Sequence, residues 1–145
     1  MRPAMAAASL CGIGFLRPAP GTWASALVLP AVLLGPWGCL ALGIGFSLIG
    51  LLAVSRLPEA REDPGWVVVD EAAGQCLALA ALPADAGAWW VLAGFALFRA
   101  ADILKPGPIG WADRMKGSLG VMLDDILAGL LAGAVLLAVR AGGLA

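Results

Sequence analysis

The chain has 145 residues, 61% of them hydrophobic and only 13% charged, with a net charge of −1; an average soluble domain is roughly half apolar and about a quarter charged. So small a body lacks the interior to hide that much apolar surface, which excludes an ordinary soluble globule, and the same hydrophobicity excludes a disordered chain. The balanced charge excludes a nucleic-acid binder, and the absence of histidine excludes Ser-His-Asp hydrolysis and histidine-ligated zinc.

What remains is an all-α, polytopic helical membrane protein, expected as one domain over residues 1–145 with about four to five membrane helices. The N-terminal run from Ala4 to Leu16 is Ala-rich and lacks a small-x-small cleavage site, so it reads as a retained interfacial helix rather than a signal peptide. Residues 12–21 form a Gly/Pro-rich loop carrying Arg17. Residues 22–54 are uncharged, too long for one untilted crossing of about 20 residues. Gly35-Pro36-Trp37-Gly38 interrupts them with a turn signal, which predicts helices over 22–34 and 37–54. The first is short, hence tilted or re-entrant.

A polar loop, 55–65, follows, then an apolar stretch over 66–82 with Asp70 and Glu71 near its start. Residues 83–88 turn. The stretch 89–104 carries Arg99 and Asp102 near its end. Residues 105–118 are polar and rich in Pro and Gly, and a last helix over about 119–139 carries Asp124 and Asp125 near its start. Cys11, Cys39 and Cys76 are odd in number and widely spaced, and read as small hydrophobes.

With five crossings, the N-terminal segment, loop 55–65 and loop 105–118 share one side. They hold Arg2, Arg17, Arg56, Arg61, Lys105, Arg114 and Lys116, against Arg140 opposite. The positive-inside rule makes that side cytoplasmic. The same sorting puts Asp70, Glu71, Asp102, Asp124 and Asp125 within about two turns of the cytoplasmic ends of three helices; only Asp85 lies on the far side.

Carboxylates crowded at a membrane edge need a counter-cation or raised pKa values. With no histidine and no clustered cysteine, hard oxygen donors select Mg²⁺ or Ca²⁺, with Mn²⁺ as an alternative. A plainer reading pairs these acids with Arg99, Lys105, Arg114 and Lys116; Arg99 and Asp102 are three residues apart, the spacing of a helical ion pair. The loop 12–25 supplies an anion site of a different kind. Thr22 reads as an N-cap, Ser25 sits one turn on, and the helix start offers unpaired N–H groups to phosphate, with Arg17 nearby. Lys105, Arg114 and Lys116 are suited to hold phosphate beside a metal; otherwise they are positive-inside residues. Trp66, Trp89, Trp90 and Trp111 fit interfacial anchors. Gly129 and Gly133, four apart, fit close helix packing.

These segments, GFLRPAPGTWAS (14–25), VVVDEAAGQ (67–75), FRAADILKPGPIGWADR (98–114) and GSLGVMLDDILAG (117–129), resemble the phosphatidylglycerophosphatase A family. The resemblance implies a bacterial inner-membrane lipid phosphatase; with the multi-pass topology and charge sorting above, its active site would face the cytoplasm. It would remove the phosphate monoester of phosphatidylglycerophosphate in a Mg²⁺-dependent reaction. It places the family's acidic motif on Asp70 and Glu71, its Asp-x-x-Lys-Pro motif on Asp102, Lys105 and Pro106, its Asp-Asp pair on Asp124 and Asp125, and its PGT loop on Pro20, Gly21 and Thr22. Some relatives carry His after the Asp113-Arg114 match, where this chain has Met115 and Lys116.

The combined expectation is a metal site of Glu71, Asp102, Asp124 and Asp125. Asp70, Glu71 and Asp124 are the catalytic candidates, with Asp70 as base or further ligand. Arg17, Thr22, Lys105 and Arg114 would bind the substrate. Direct attack by water is favoured over a covalent aspartyl-phosphate, since no Asp-x-Asp motif occurs. The rival readings are a carboxylate-lined cation transporter or channel and a CDP-alcohol phosphotransferase-like enzyme. The acids at one face mark no route across for the first, and the longer Asp-Gly…Ala-Arg…Asp pattern of the second is absent.

Overall fold

Prolines punctuate this fold. Pro3, Pro20, Pro36 and Pro108 each stand in the first positions of a helix, where the missing N–H would be unpaired anyway and the fixed φ is already helical. The computed structural model describes residues 1–143 and is all-helical, with no strand among them. In chain order the helices are α1 (Pro3–Ala8), α2 (Pro20–Leu27), α3 (Gly35–Ser55), α4 (Val69–Leu79), α5 (Ala88–Leu104), α6 (Pro108–Asp113) and α7 (Ser118–Ala141), with a 3₁₀ segment, Leu29–Leu34, between α2 and α3.

α4 is the axis of the bundle. It packs against α2, α3, α5 and α7, and nearly all of its 11 residues are buried. Its small residues Ala72, Ala73, Gly74 and Ala78 let neighbours approach closely, the packing mode of helices that lack a hydrophobic driving force between them. A Cβ on Gly129 of α7 would lie 2.2 Å from the Gly74 carbonyl oxygen, and one on Gly74 would lie 2.4 Å from the Asp125 carbonyl oxygen. Backbone touches backbone here, so neither helix can yield cheaply. Gly129→Ala is expected to destabilise the fold by ~2 kcal/mol through overpacking, more than alanine's better helix propensity returns. Thermal unfolding in detergent checks this. Gly133, by contrast, has only ordinary contacts at 3.6 Å and beyond.

The ends of the bundle sort as the charge pattern predicts. Arg2 pairs with Glu59 at 3.4 Å, Val68 donates to the Ala8 carbonyl at 2.9 Å, and Gly117 donates to the Arg61 carbonyl at 3.3 Å. The N-terminal segment and both polar loops therefore meet at one end. The segment predicted over 22–34 does not turn back. Gly21 lies against Glu71 at that end, while Val32 packs with Leu79 and Leu82 and Gly35 faces Ala84 at the other. Eight α-helical residues and six 3₁₀ residues cover roughly 24 Å, because the 3₁₀ rise is about 2.0 Å per residue.

Two helical stretches, Pro20–Ser55 and Ser118–Ala141, are long and apolar enough to cross a membrane. Large apolar side chains coat the outside, among them Leu33, Trp37, Leu48, Trp89, Leu104 and Leu137, a surface that water-soluble monomers rarely display. The chain is a membrane-associated helical protein.

Three local readings change. Thr22 is not an N-cap. Pro20 takes the first helical position, so the cap is Ala19 and no side chain caps the helix; proline's fixed φ starts α2 two residues early. Residues 108–113, expected as loop, form α6, because Ile109 and Ala112 lie three apart and bury one face against α7. The stretch 66–82 becomes helical only at Val69.

Candidate active site

Adjacent residues on a helix diverge by about 100°, so an acidic pair on α4 and another on α7 cannot all point one way. The fold uses this divergence. Asp70 and Glu71 occupy the first turn of α4, where the helix dipole favours negative charge. Asp125 comes from the second turn of α7. One carboxylate oxygen from each of these three lies within 4.8 Å of the others. Asp70 and Asp125 are buried at 3% exposure. Glu71 Oε2 and Asp125 Oδ1 are buried without a hydrogen-bond partner, and desolvated carboxylate oxygens left unpaired are costly. Converging hard oxygen donors with free lone pairs match the coordination demands of Mg²⁺.

Gly21 of α2 lies against Glu71 of this cluster. A Cβ there would fall 2.1 Å from Glu71 Oε1 and 3.2 Å from Arg99 Nη1. The obstructing atom is the tip of a flexible side chain, so Gly21→Ala is expected to swing Glu71 aside rather than unfold the helix. Activity at this site should then fall about 10²-fold, the scale of a 1 Å misplacement, with little change in melting temperature. Activity and unfolding measured on one preparation check both halves.

The other two predicted metal ligands are each paired with a cation. Asp102 Oδ2 sits 2.5 Å from Arg99 Nη1, the i,i+3 pair the spacing suggested. Asp124 Oδ2 accepts from Lys105 Nζ at 2.7 Å, and Lys105 also contacts Asp113. Asp124 therefore splays from its neighbour Asp125 toward a separate wall. Lys105 ends α5 in the left-handed region at φ 48°, a conformation a non-glycine side chain adopts at some cost; it is held there by two carboxylates. Burial pulls the Lys105 pKa down, but its contacts with Asp113 and Asp124 outweigh this and leave it above the ordinary lysine range.

Asp124 and Arg114 meet at a cavity of about 380 Å³, which Arg61, Asp63, Asp113 and Lys116 also line. Arg17 does not reach it. That residue lies in a neighbouring groove with Phe15, Pro20 and Trp66, and Phe15 stacks on Trp66 with ring centroids 6.1 Å apart. The structure thus gathers Asp70, Glu71 and Asp125 in one cluster and Lys105, Arg114 and Asp124 around a second locus. It leaves Arg17 apart, and Thr22 sits on α2 one residue beyond Gly21, half-buried.

Asp63 was missed because loop 55–65 reads as a solvated turn. Its backbone is left-handed at φ 52°, and its carboxyl is open to the cavity. Partial burial, then the like charges of Asp70 and Asp124, push its pKa up to about 7. A folded acid with a raised pKa holds its proton more tightly than the unfolded one. Its contribution to the stability of the metal-free fold is therefore lost as pH rises from about 4 to about 7. Asp63→Asn should raise the melting temperature in chelator more at pH about 7.5 than at pH about 4.5; equal shifts at both would refute it. The closures at Gly21 and Gly74 were missed as well, since a glycine's value lies in what it faces.

A sequence model of the family described as "PgpA: Phosphatidylglycerophosphatase A" matches residues 6–140. A Haemophilus influenzae protein named phosphatidylglycerophosphatase A is 38% identical over 138 residues, covering 89% of this chain and 83% of that protein. The Escherichia coli protein of the same name is 36% identical over 133 residues, covering 86% and 76%. A Bacteroides thetaiotaomicron protein described as "Putative phosphatidylinositol-3-phosphatase" is 41% identical over 130 residues, covering 82% of each. No solved structure matches. With the acid cluster formed from the VVVDEAAGQ and GSLGVMLDDILAG segments and a family match that spans both, the chain belongs to the phosphatidylglycerophosphatase A family.

Proposed function

We propose that the chain is a Mg²⁺-dependent lipid phosphomonoesterase that converts phosphatidylglycerophosphate to phosphatidylglycerol and phosphate, working at the cytoplasmic face of the bacterial inner membrane. The observation that carries this reading is the convergence of Asp70, Glu71 and Asp125 from two helices within 4.8 Å; Asp124, next to Asp125 in the chain, lines a cavity that mixes Arg61, Arg114 and Lys116 with Glu62, Asp63 and Asp113. Family membership and the names of the Haemophilus and Escherichia relatives supply the lipid.

In this reading Asp70, Glu71 and Asp125 hold the metal, which replaces the four-acid set expected from sequence; Asp102 fixes Arg99, and Asp124 fixes Lys105. Mg²⁺ when bound would draw charge from the phosphoryl oxygens and acidify water. Lys105 and Arg114 hold the monoester oxygens, as fixed positive charges that act more strongly in a site shielded from water. Asp124, on the cavity wall, orients the attacking water and takes up its proton.

The apolar exterior of α3, α5 and α7, together with the α2–3₁₀ stretch that runs the length of the bundle, supports a multi-pass arrangement of about five crossings. The loop cations then lie on the cytoplasmic side. Asp85 is the one acid toward the opposite end among the described residues, which offers no charged path for an ion across the bundle.

The test is phosphate release from short-chain phosphatidylglycerophosphate in detergent, with Mg²⁺ or with chelator. Metal-dependent release is expected. No release in Mg²⁺ would overturn the reading.

A further inference from the structure

The headgroup of the proposed substrate carries two anions, not one. Its terminal phosphate is the monoester to be cleaved, and a second phosphate, a diester, joins the glycerol to the lipid. The residues assigned so far deal with the first alone.

The cations of the site divide into two kinds. Arg99 and Lys105 are already matched by Asp102, Asp113 and Asp124. Arg61, Arg114 and Lys116 form no ion pair among the described residues, yet all three line a cavity that reaches Asp124 and also holds Glu62, Asp63 and Asp113. Arg61 and Lys116 come from different loops, and the wall between them is fixed. Gly117 donates to the Arg61 carbonyl at 3.3 Å, and Arg61 Nη2 donates to the Ser55 carbonyl at 2.7 Å, at the end of α3. That bond uses one of the five guanidinium N–H donors and leaves the others free. The cavity volume, about 380 Å³, falls in the usual range for small-ligand sites, about 300–1,000 Å³.

We infer that Arg61 and Lys116 form a second anion subsite, which holds the headgroup phosphodiester while Lys105 and Arg114 hold the monoester. The inference rests on the proposed phosphatase reading and deepens it, since it makes the enzyme select lipids whose two phosphates are separated by a headgroup. A planar guanidinium and a compact ammonium suit this division, the first gripping two oxygens and the second adding point charge. Because the diester takes no part in the reaction, its contacts are equal in ground and transition states. Their loss therefore falls on KM rather than on kcat.

The experiment uses full-length protein in uncharged detergent micelles, where generic attraction to an anionic surface cannot contribute. Arg61→Gln and Lys116→Gln are each expected to raise KM for short-chain phosphatidylglycerophosphate about tenfold, the worth of a charge-assisted contact, while Arg61→Lys recovers most of the loss. In calorimetry, glycerophosphoglycerol, a diester with no monoester, should bind each Gln variant about tenfold more weakly than wild type, by the same count. Unchanged KM and unchanged diester binding in both variants would overturn the subsite. A fall in kcat at constant KM would do the same, assigning these side chains to scaffold or chemistry. A wild-type protein that binds the diester yet releases no phosphate would leave the subsite standing and sink the phosphatase reading.

Discussion

Asp125→Asn is expected to reduce Mg²⁺-dependent phosphate release about 10³-fold, at the upper end of what one electrostatic group in an enclosed site contributes. The side chain keeps its volume and stays buried between α4 and α7, so the fold should persist. The metal-free variant is expected to melt at a higher temperature than wild type. Three carboxylates with oxygens within 4.8 Å of one another repel without a cation between them, and Asn removes one charge while adding a donor for the unpaired Glu71 oxygen. Added Mg²⁺ should raise the wild-type melting temperature, since a ligand bound only by the native state at 100 times its Kd stabilises by about 2.7 kcal/mol. In Asp125→Asn that rise should vanish. Lower activity with an intact Mg²⁺ shift would place the metal elsewhere.

Lys105→Gln is expected to cost about 10²-fold in kcat, the loss typical of removing one fixed donor aimed at developing charge. Its ammonium bridges Asp113 and Asp124, the second of them 5% exposed at the side chain. Because those contacts hold the Lys105 pKa above the ordinary lysine range, its stabilisation is complete below the unfolded lysine pKa of about 10.4. It is lost only in stronger alkali, so between pH about 6 and about 9 neither wild type nor variant should show a step traceable to this residue. A pH profile of kcat over that window checks it, and a wild-type inflection that disappears in the variant would contradict it. The variant should also lose stability, as Asp124 would be left buried without its cation.

Much of this arrangement is legible in the sequence, for reasons that differ from residue to residue. The bundle ends could be sorted because charge is expensive in an apolar chain, so Arg2, Arg61 and Lys116 report a shared side without any knowledge of packing. Asp70-Glu71 and Asp124-Asp125 could be singled out for the same reason. Which of the four acids meet could not: both of the α4 pair join the cluster, but only Asp125 of the α7 pair does. Helical phase relative to a neighbour is set by where Gly74 and Gly129 let two backbones touch, and that contact joins residues 55 positions apart in the chain. Hence Asp70 joins the cluster and Asp124 leaves it for Lys105. Arg99–Asp102 was readable because it is local. Asp63 was not, since a polar loop gives no sign that it folds back over two helices.

If Asp70, Glu71 and Asp125 hold the divalent ion, anomalous scattering from crystals grown with Mn²⁺ in place of Mg²⁺ will show it. A peak is expected within coordination distance, about 2.0–2.3 Å, of oxygens from all three side chains. A peak on Asp102 and Asp124 that leaves Asp70 or Asp125 out, or no peak at a Mn²⁺ concentration that supports phosphate release, would contradict it.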